Sequence, residues 1–204
     1  MNFHVNPRLL FGTALLGFIV LTLMIAVIPA TRIQKTPPTP GLQPLSAEAA
    51  RGRDIYVSEG CSYCHTQQVR PLPEDEPFGR PSAPGDYVYQ TPELLGTERT
   101  GPDLSNIGNR QPSQVWHLMH LCSPRAVVKD SVMPSYWWYF REKDQADPND
   151  VVVPVPAAFA PKDKVVVATP EALDLVAYLL ALKQPPLKVM PQAEEAGQAG
   201  TSAH

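Results

Sequence analysis

The chain has 204 residues, a net charge of −3 at pH 7, three cysteines and 24 prolines. This length allows one domain plus an attachment segment, and three cysteines are too few for a disulfide framework. Residues 36–204 carry 14 basic and 20 acidic side chains, a balance that excludes the positive surface of a nucleic-acid-binding protein and favours a basic protein partner. The prolines predict a loop-rich body with short helices.

The first predicted element covers residues 9–28, a run of 20 residues without a charge. As a helix this run is about 30 Å long, the thickness of a bilayer's hydrocarbon core. A cleaved signal peptide is the alternative, but the apolar run is long for one and Ile28-Pro29-Ala30 is a poor cleavage site. We therefore expect residues 1–35 to be an uncleaved membrane anchor.

Residues 36–45 form a proline-rich linker, with four prolines in residues 36–44. Such segments are either semi-rigid extended spacers or disordered tethers, and the composition fits both. Beyond the linker we expect one folded domain, residues 46–190, followed by a disordered tail, residues 191–204.

The first part of the folded domain contains two predicted helices and a long loop. Ser46 as an N-cap begins a helix that runs towards the cysteines and ends at Gly60. Residues 71–100 are rich in proline, glycine and acids, and they predict a surface loop in which residues 74–76 are a solvated acidic tip. A second helix is predicted over residues 113–122, with Pro112 in its first turn.

The last part of the domain begins with residues 141–168, which are predicted to be irregular with short extended pieces in VVVPVP and KVVVA. Pro154 and Pro156 confine the first piece to the edge of a sheet, because proline cannot donate to a central ladder. Thr169-Pro170 predicts the start of the last helix. The spacing predicts that Leu173, Val176, Ala177 and Leu180 share one face of this helix.

Cys61, Cys64 and His65 form a C-x-x-C-H motif. The two thiols of such a motif add across the vinyl groups of a haem, and the adjacent histidine is placed to ligate the iron. A structural zinc site needs a fourth ligand, which His117-x-x-His120 does not supply at the usual spacing, and a redox-active disulfide needs a βαβ context. One such motif predicts one covalent haem c.

The second axial ligand of such a haem has five candidates, which are Met119, Met133, Met190, His117 and His120. Met133 is favoured, because Pro134 stops helix formation and leaves the thioether on a loop. Met119 is predicted to lie within a helix and Met190 beyond the last one, so both are expected to be packing or surface residues. A methionine ligand raises the reduction potential relative to two histidines.

Gly101-Pro102 lies in the stretch ERTGPDLSNIGNR. The Pro102 carbonyl can accept the other ring N–H of His65 and fix its orientation, and a plain turn that includes Asp103 is the alternative. Bacterial haem c is attached outside the cytoplasmic membrane. This predicts a single-pass protein of the bacterial cytoplasmic (inner) membrane with its haem domain on the periplasmic side.

Four features in order resemble class I cytochromes c: a helix leading into C-x-x-C-H, TGPDL, a Met-Pro pair and an amphipathic C-terminal helix. RDIYVSEGCSYCHTQQVRP, ERTGPDLSNIGNR and WHLMHLCSPRAVVKDSVMPSY, spread over residues 53–136, strongly resemble the mono-haem cytochrome c subunit of cbb3-type cytochrome c oxidases. The resemblance implies a mainly α fold, with a single N-terminal transmembrane helix and a class I cytochrome c-like domain with long proline-rich loops.

The resemblance also implies roles for individual residues. Cys61 and Cys64 would hold the haem, His65 and Met133 would be its axial ligands, and the Pro102 carbonyl would orient His65. Such subunits receive electrons from a periplasmic cytochrome c or a sister cytochrome c subunit and pass them to a multi-span catalytic subunit that reduces oxygen. No active site is expected on this chain itself, because paired carboxylates, a nucleophile–base pair or a phosphate-cradling loop are not visible in its sequence.

The sequence departs from that family at Gln67-Gln68-Val69, at Trp137-Trp138 and in residues 141–168, which look like an insertion. Two other functions therefore stay open: the cytochrome c subunit of a nitric oxide reductase, and a free-standing anchored cytochrome c that shuttles electrons. Cys122 is interpreted as a buried small apolar residue. Four family positions are expected to pack the haem crevice or a subunit interface: Trp116, His117, His120 and Arg125.

Overall fold

The computed structural model describes residues 6–96 and 98–186. It contains two compact units, Met1–Pro38 with Ala83–Glu93 and Thr39–Ser82 with Leu94–His204. The predicted tail 191–204 and the last four residues of the predicted domain lie outside the described residues.

The first unit contains a long apolar helix. Helix α1 (Pro7–Thr22) continues through a π-helical turn (Leu23–Val27) into α2 (Ile28–Ile33). Together they give 27 helical residues, and the most apolar stretch has a mean hydropathy of 2.6 and is fully exposed. The predicted apolar helix of membrane-spanning length is confirmed, and it extends beyond the predicted residues at both ends.

The π-helical turn lies immediately before Pro29. Pro29 has no N–H, and its ring crowds the carbonyl four residues earlier in a regular helix. The Ile28 N–H donates instead to the carbonyl of Leu23, five residues back, so the backbone widens for one turn. Proline therefore distorts this helix without ending it.

Two helices, α3 (Ala47–Ser58) and α7 (Pro170–Ala181), organise the second unit. Both begin as predicted, because the hydroxyls of Ser46 and Thr169 each accept from the backbone N–H three residues further along. Helix α3 ends before Gly60, whose φ of +70° favours glycine. Local sequence signals thus set both helix starts and one helix end.

Helices α3 and α7 cross at Gly52. A Cβ on Gly52 would lie 1.9 Å from the carbonyl oxygen of Asp174, so only glycine permits this approach. The ring centroids of Tyr56 and Tyr178 are 5.3 Å apart in an edge-on arrangement, and Arg51 pairs with Asp174 at 2.7 Å. This crossing places the end of α3, and with it the C-x-x-C-H motif, against a buried helix.

The fully buried face of α7 includes only Val176 of the four residues predicted to share a face. Leu173, Ala177 and Leu180 are partly buried, and Leu173 and Leu180 pack against the core. Nearly every residue of this helix is apolar, and periodicity alone does not choose between neighbouring stripes. Packing against α3 makes the choice. The fully buried residues of α7 are Ala172, Leu175, Val176, Tyr178 and Leu179.

Three short helices lie between the loop of residues 71–100 and residues 136–140, which we call the aromatic run. They are α4 (Ile107–Arg110), α5 (Gln114–Cys122) and α6 (Pro124–Val127). The Ser113 hydroxyl accepts from the Trp116 N–H at 3.2 Å and caps α5, so Pro112 lies just before the helix rather than in its first turn.

Residues 140–168 contain a three-stranded antiparallel sheet of β1 (Phe140–Lys143), β2 (Val152–Val153) and β3 (Val165–Ala168), with β3 in the centre. Strand β2 lies at an edge, as its following prolines predict. Strand β1 was not predicted, because its sequence FREK has a weak apolar pattern. Phe140, Val153 and Val166 join the core formed by α3, α5 and α7.

The linker has no regular element, but it is not fully extended. The Leu42 N–H donates to the Thr39 carbonyl at 2.9 Å, and Gly41 has a φ of +91° in this turn. The Thr39 side chain is buried. The end of the linker is therefore part of the second unit.

Candidate functional site

A cavity of about 620 Å³ opens in the second unit. Its lining is mainly apolar, and its size lies within the range of cofactor sites, about 300–1,000 Å³. Two chain regions carry the chemically distinctive lining residues. We call residues 59–65 with residues 100–104 the His65 wall, and residues 116–121 with residues 128–136 the Met133 wall.

The C-x-x-C-H motif forms a tight turn in the His65 wall. A 3₁₀ turn covers Cys61–Tyr63, and the Cys61 carbonyl accepts from the N–H groups of Cys64 (3.2 Å) and His65 (2.9 Å). Burial raises the pKa of the Cys61 thiol to about 11, which keeps it protonated at neutral pH. The turn places both thiols and the imidazole along the same cavity.

The His65 ring is fixed from two sides. Its Nδ1 lies 2.8 Å from the Pro102 carbonyl oxygen, which can only accept, so Nδ1 carries the hydrogen and Nε2 the lone pair. A Cβ on Gly101 would lie 2.2 Å from Cε1 of the ring, so the imidazole rests against a residue that must be glycine. Burial lowers the pKa of His65, which keeps the ring neutral at pH 7 and Nε2 able to bind a metal.

Backbone hydrogen bonds join the two segments of the His65 wall. The Cys64 carbonyl accepts from the N–H groups of Thr100 (3.1 Å) and Gly101 (2.9 Å), and the Leu104 N–H donates to the Thr66 carbonyl (2.9 Å). The two segments therefore run side by side, and the position of His65 relative to its neighbours is set by the backbone.

Met133 contributes a soft thioether to the other wall. It is half-buried in the loop between α6 and the aromatic run, and its backbone N–H donates to the Ser131 hydroxyl at 3.3 Å. Val132 beside it is 73% exposed. Tyr136 is buried in the lining at the end of this loop.

The two histidines of α5 have different surroundings. His117 Nε2 lies 2.8 Å from the Gln111 carbonyl and donates to it. His120 stacks on Trp116 with ring centroids 4.7 Å apart, and within the described chain its buried Nδ1 has no hydrogen-bond partner. Burial lowers the pKa of His120 to about 4, so the ring is neutral at pH 7.

The cavity brings together five residues that the sequence singled out: Cys61, Cys64, His65, Pro102 and Met133. Trp116, His117 and His120 also line it, whereas Arg125 on α6 is exposed and is not among the described lining residues. Met119 packs against the hydrophobic core, and Cys122 is half-buried there. Met190 lies outside the described residues.

Asp75 was predicted to be part of a solvated acidic tip, and this prediction was wrong. Its side chain is 1% exposed and accepts from Arg70 (2.8 Å) and Arg99 (2.6 Å). These cations hold the pKa of Asp75 well below its usual range. Arg99 lies 24 positions away in sequence, so no local pattern indicated this buried pair. Asp75 thus ties the chain just after the motif to the chain just before Gly101.

The donor set fits a covalently attached haem. Two thiols three positions apart, a neutral imidazole with a free Nε2 and a thioether line one mainly apolar cavity. Thiol, imidazole and thioether are the groups that haem c attachment and axial ligation require.

Comparison with known proteins agrees with this fit. The model of the family described as cytochrome c oxidase, mono-heme subunit/FixO, matches residues 3–182, and none of the curated proteins matches the chain. The matched region covers the apolar helix, the cavity and the whole sheet. The chain therefore belongs to the FixO family of mono-haem cytochrome c oxidase subunits.

Proposed function

We propose that this chain carries one covalent haem c and relays electrons to the oxygen-reducing catalytic subunit of a cbb3-type cytochrome c oxidase. The observation that carries the proposal is the convergence of Cys61, Cys64, His65 and Met133 on one mainly apolar cavity in a chain of the mono-haem family. When bound, the haem supplies a centre that takes up and releases one electron.

Cys61 and Cys64 hold the group in this proposal. Each thiol would hold the haem through a thioether bond to one carbon of a vinyl group, with the thiol hydrogen going to the other vinyl carbon. The 3₁₀ turn at Cys61–Tyr63 supports this role, because it holds both thiols on the cavity lining beside His65.

His65 and Met133 are the axial ligands in this proposal. His65 would bind through Nε2, because its Nδ1–H is engaged by the Pro102 carbonyl. Met133 would bind through its sulfur, which raises the reduction potential relative to a second histidine and suits delivery to a strong oxidant. With both axial positions taken by side chains, the chain offers no open position for oxygen.

The long apolar helix anchors the chain in the bacterial cytoplasmic membrane, with the second unit on the periplasmic side, in this proposal. Haem c attachment takes place on that side of the membrane, and the helix has the length and hydropathy of a single span. A periplasmic cytochrome c or a sister cytochrome c subunit donates the electron. The acidic excess of residues 36–204 supports a basic donor surface.

The haem assignment is tested by mass spectrometry of the denatured full-length chain, produced in a host that attaches haem c. We expect one haem on the wild-type chain and none on the Cys61→Ser/Cys64→Ser double variant. Cys122→Ser is the matched control, since Cys122 is half-buried against the core, and it should keep full haem content. A haem that remains bound to the denatured double variant contradicts the proposal.

The relay is tested by purifying the detergent-solubilised complex through this chain. We expect a stoichiometric multi-span subunit that contains copper, and reduction of the haem by a periplasmic cytochrome c before oxygen is consumed. A partner with non-haem iron would instead support a nitric oxide reductase. A chain that purifies without a stoichiometric partner would support a free shuttle.

A further inference from the structure

Asp103, which the sequence placed in a turn, is completely buried and bonds two separate chain segments. Its Oδ2 accepts from the Thr66 hydroxyl (2.5 Å) and the Gln68 N–H (2.8 Å), and its Oδ1 accepts from the Ser105 N–H (2.8 Å). The guanidinium of Arg110 donates to the backbone carbonyl of Asp103. One carboxylate therefore holds a side chain and two backbone amides in place.

These bonds join the two segments that fix the His65 ring. Thr66 directly follows His65, and Asp103 directly follows Pro102, whose carbonyl accepts from His65 Nδ1. The Asp103 carboxylate thus bridges the two segments close to the ring. It bonds the residue next to His65 in one segment, and it belongs to the residue next to Pro102 in the other.

We propose that Asp103 is a positioning residue for the His65 ligand, acting through the Thr66 hydroxyl to hold His65 Nδ1 at hydrogen-bonding distance from the Pro102 carbonyl. The inference rests on the proposed function, since it concerns His65 as an iron ligand. A well-formed bond from Nδ1 raises the basicity of Nε2, and a more basic ligand favours the oxidised iron. Asp103 thereby keeps the reduction potential lower than a loosely held histidine would.

If the hydrogen bonds of Asp103 only stabilised the fold, their removal would have a different effect. Removing it would lower the melting temperature and leave the orientation of the ring and the reduction potential unchanged. The orientation of the axial imidazole is reported by the paramagnetically shifted haem-methyl signals of the oxidised protein. Potential and methyl pattern therefore separate a positioning role from a merely structural one.

The test compares Thr66→Val with Thr66→Ser in the full-length haem-loaded chain in detergent. Valine keeps the shape of threonine and removes the hydroxyl, whereas serine keeps the hydroxyl and removes a methyl group. Asp103→Asn is the second probe. The amide NH₂ of asparagine is a donor, and it would face one of the N–H or O–H groups that donate to the carboxylate. If Asp103→Asn fails to fold, the two Thr66 variants still decide the question.

We expect Thr66→Val and Asp103→Asn to change the haem-methyl pattern and to raise the ratio of reduced to oxidised protein at a fixed potential. An increase of up to about tenfold corresponds to about 59 mV for a one-electron couple. Thr66→Ser should keep the wild-type pattern and ratio. Equal potentials and methyl patterns in Thr66→Val and Thr66→Ser overturn the positioning role and leave the proposed function standing. A wild-type chain without covalent haem overturns both.

Discussion

The His65 wall and the Met133 wall line the same cavity but are built differently. In the His65 wall, the ring of His65 is bonded to the Pro102 carbonyl and rests against Gly101, and backbone bonds join its two segments. In the Met133 wall, Met133 lies half-buried in a loop whose neighbouring Val132 is 73% exposed.

The two proposed ligands are therefore held in different ways. The bonds that place His65 also hold the surrounding chain together, so the fold and the position of this residue depend on the same contacts. Met133 lies on a loop that packs on the core from outside. Substitutions in the His65 wall should therefore damage stability and ligation together, whereas substitutions in the Met133 wall should affect ligation and leave the fold intact.

The largest effect on ligation is expected from Gly101→Ala in the His65 wall. The new Cβ would lie 2.2 Å from Cε1 of His65, which is shorter than a van der Waals contact, so the ring or the backbone at Gly101 must move. We expect loss of low-spin histidine ligation in the absorption spectrum and a destabilisation of about 1–3 kcal/mol from overpacking. Gly12→Ala is the control, since apart from the backbone of its own helix no atom of the described residues lies within 4 Å of its Cβ position. A low-spin spectrum like the wild type's would show that the ring is not tightly held.

The largest effect on stability is expected at the buried ion pairs of Asp75, which lie outside the lining. Asp75→Asn leaves Arg70 and Arg99 without their buried counter-charge, and we expect a loss of about 3–5 kcal/mol of unfolding free energy at pH 7, measured in urea. Glu74→Gln, on the exposed neighbouring residue, should change stability by less than about 0.5 kcal/mol.

The buried carboxylate of Asp75 also makes the stability of the protein depend on pH. The pKa of Asp75 is lowered in the folded state, and in the unfolded chain it returns to about 3.9. Its contribution is therefore fully present above about pH 4 and decreases as the pH falls below that value. The wild type should lose stability between about pH 4 and pH 2 more steeply than Asp75→Asn. Parallel curves for the two proteins would contradict the buried pair.

Local features and long-range contacts differ in how far the sequence predicts them. Some features follow from local patterns, in which each residue acts on neighbours a few positions away. These features are the C-x-x-C-H turn, the N-caps Ser46 and Thr169, and the Met-Pro loop. The pairing of Asp75 with Arg99 was missed, because it joins distant positions and depends on burial that no window of sequence shows. The sequence did not indicate which stripe of α7 is fully buried for the same reason, since α3 selects it across the fold.

A smaller effect on stability is expected in the Met133 wall. Met133→Leu conserves volume and should cost less than about 1.5 kcal/mol. If Met133 is the second ligand, the variant loses the sulfur-to-iron absorption band near the red end of the oxidised spectrum, and its reduction potential falls. Met119→Leu is the matched control, because Met119 packs against the core. A band that persists in Met133→Leu would contradict the assignment and move it to another sulfur, because a histidine of the lining such as His120 gives no such band.

The smallest effect is expected from Ser131→Ala, which removes only the hydroxyl that accepts from the Met133 N–H at 3.3 Å. The side chain is partly exposed, so water replaces it and stability should change by less than about 0.5 kcal/mol. The loop that carries Met133 should nevertheless open more often, because one of its turn contacts is gone. Added imidazole should therefore displace the second ligand several-fold faster than in the wild type, as followed by stopped-flow absorption. An unchanged rate would mean that the Met133 wall is held as firmly as the His65 wall, and the contrast between the two walls would then not extend to their motions.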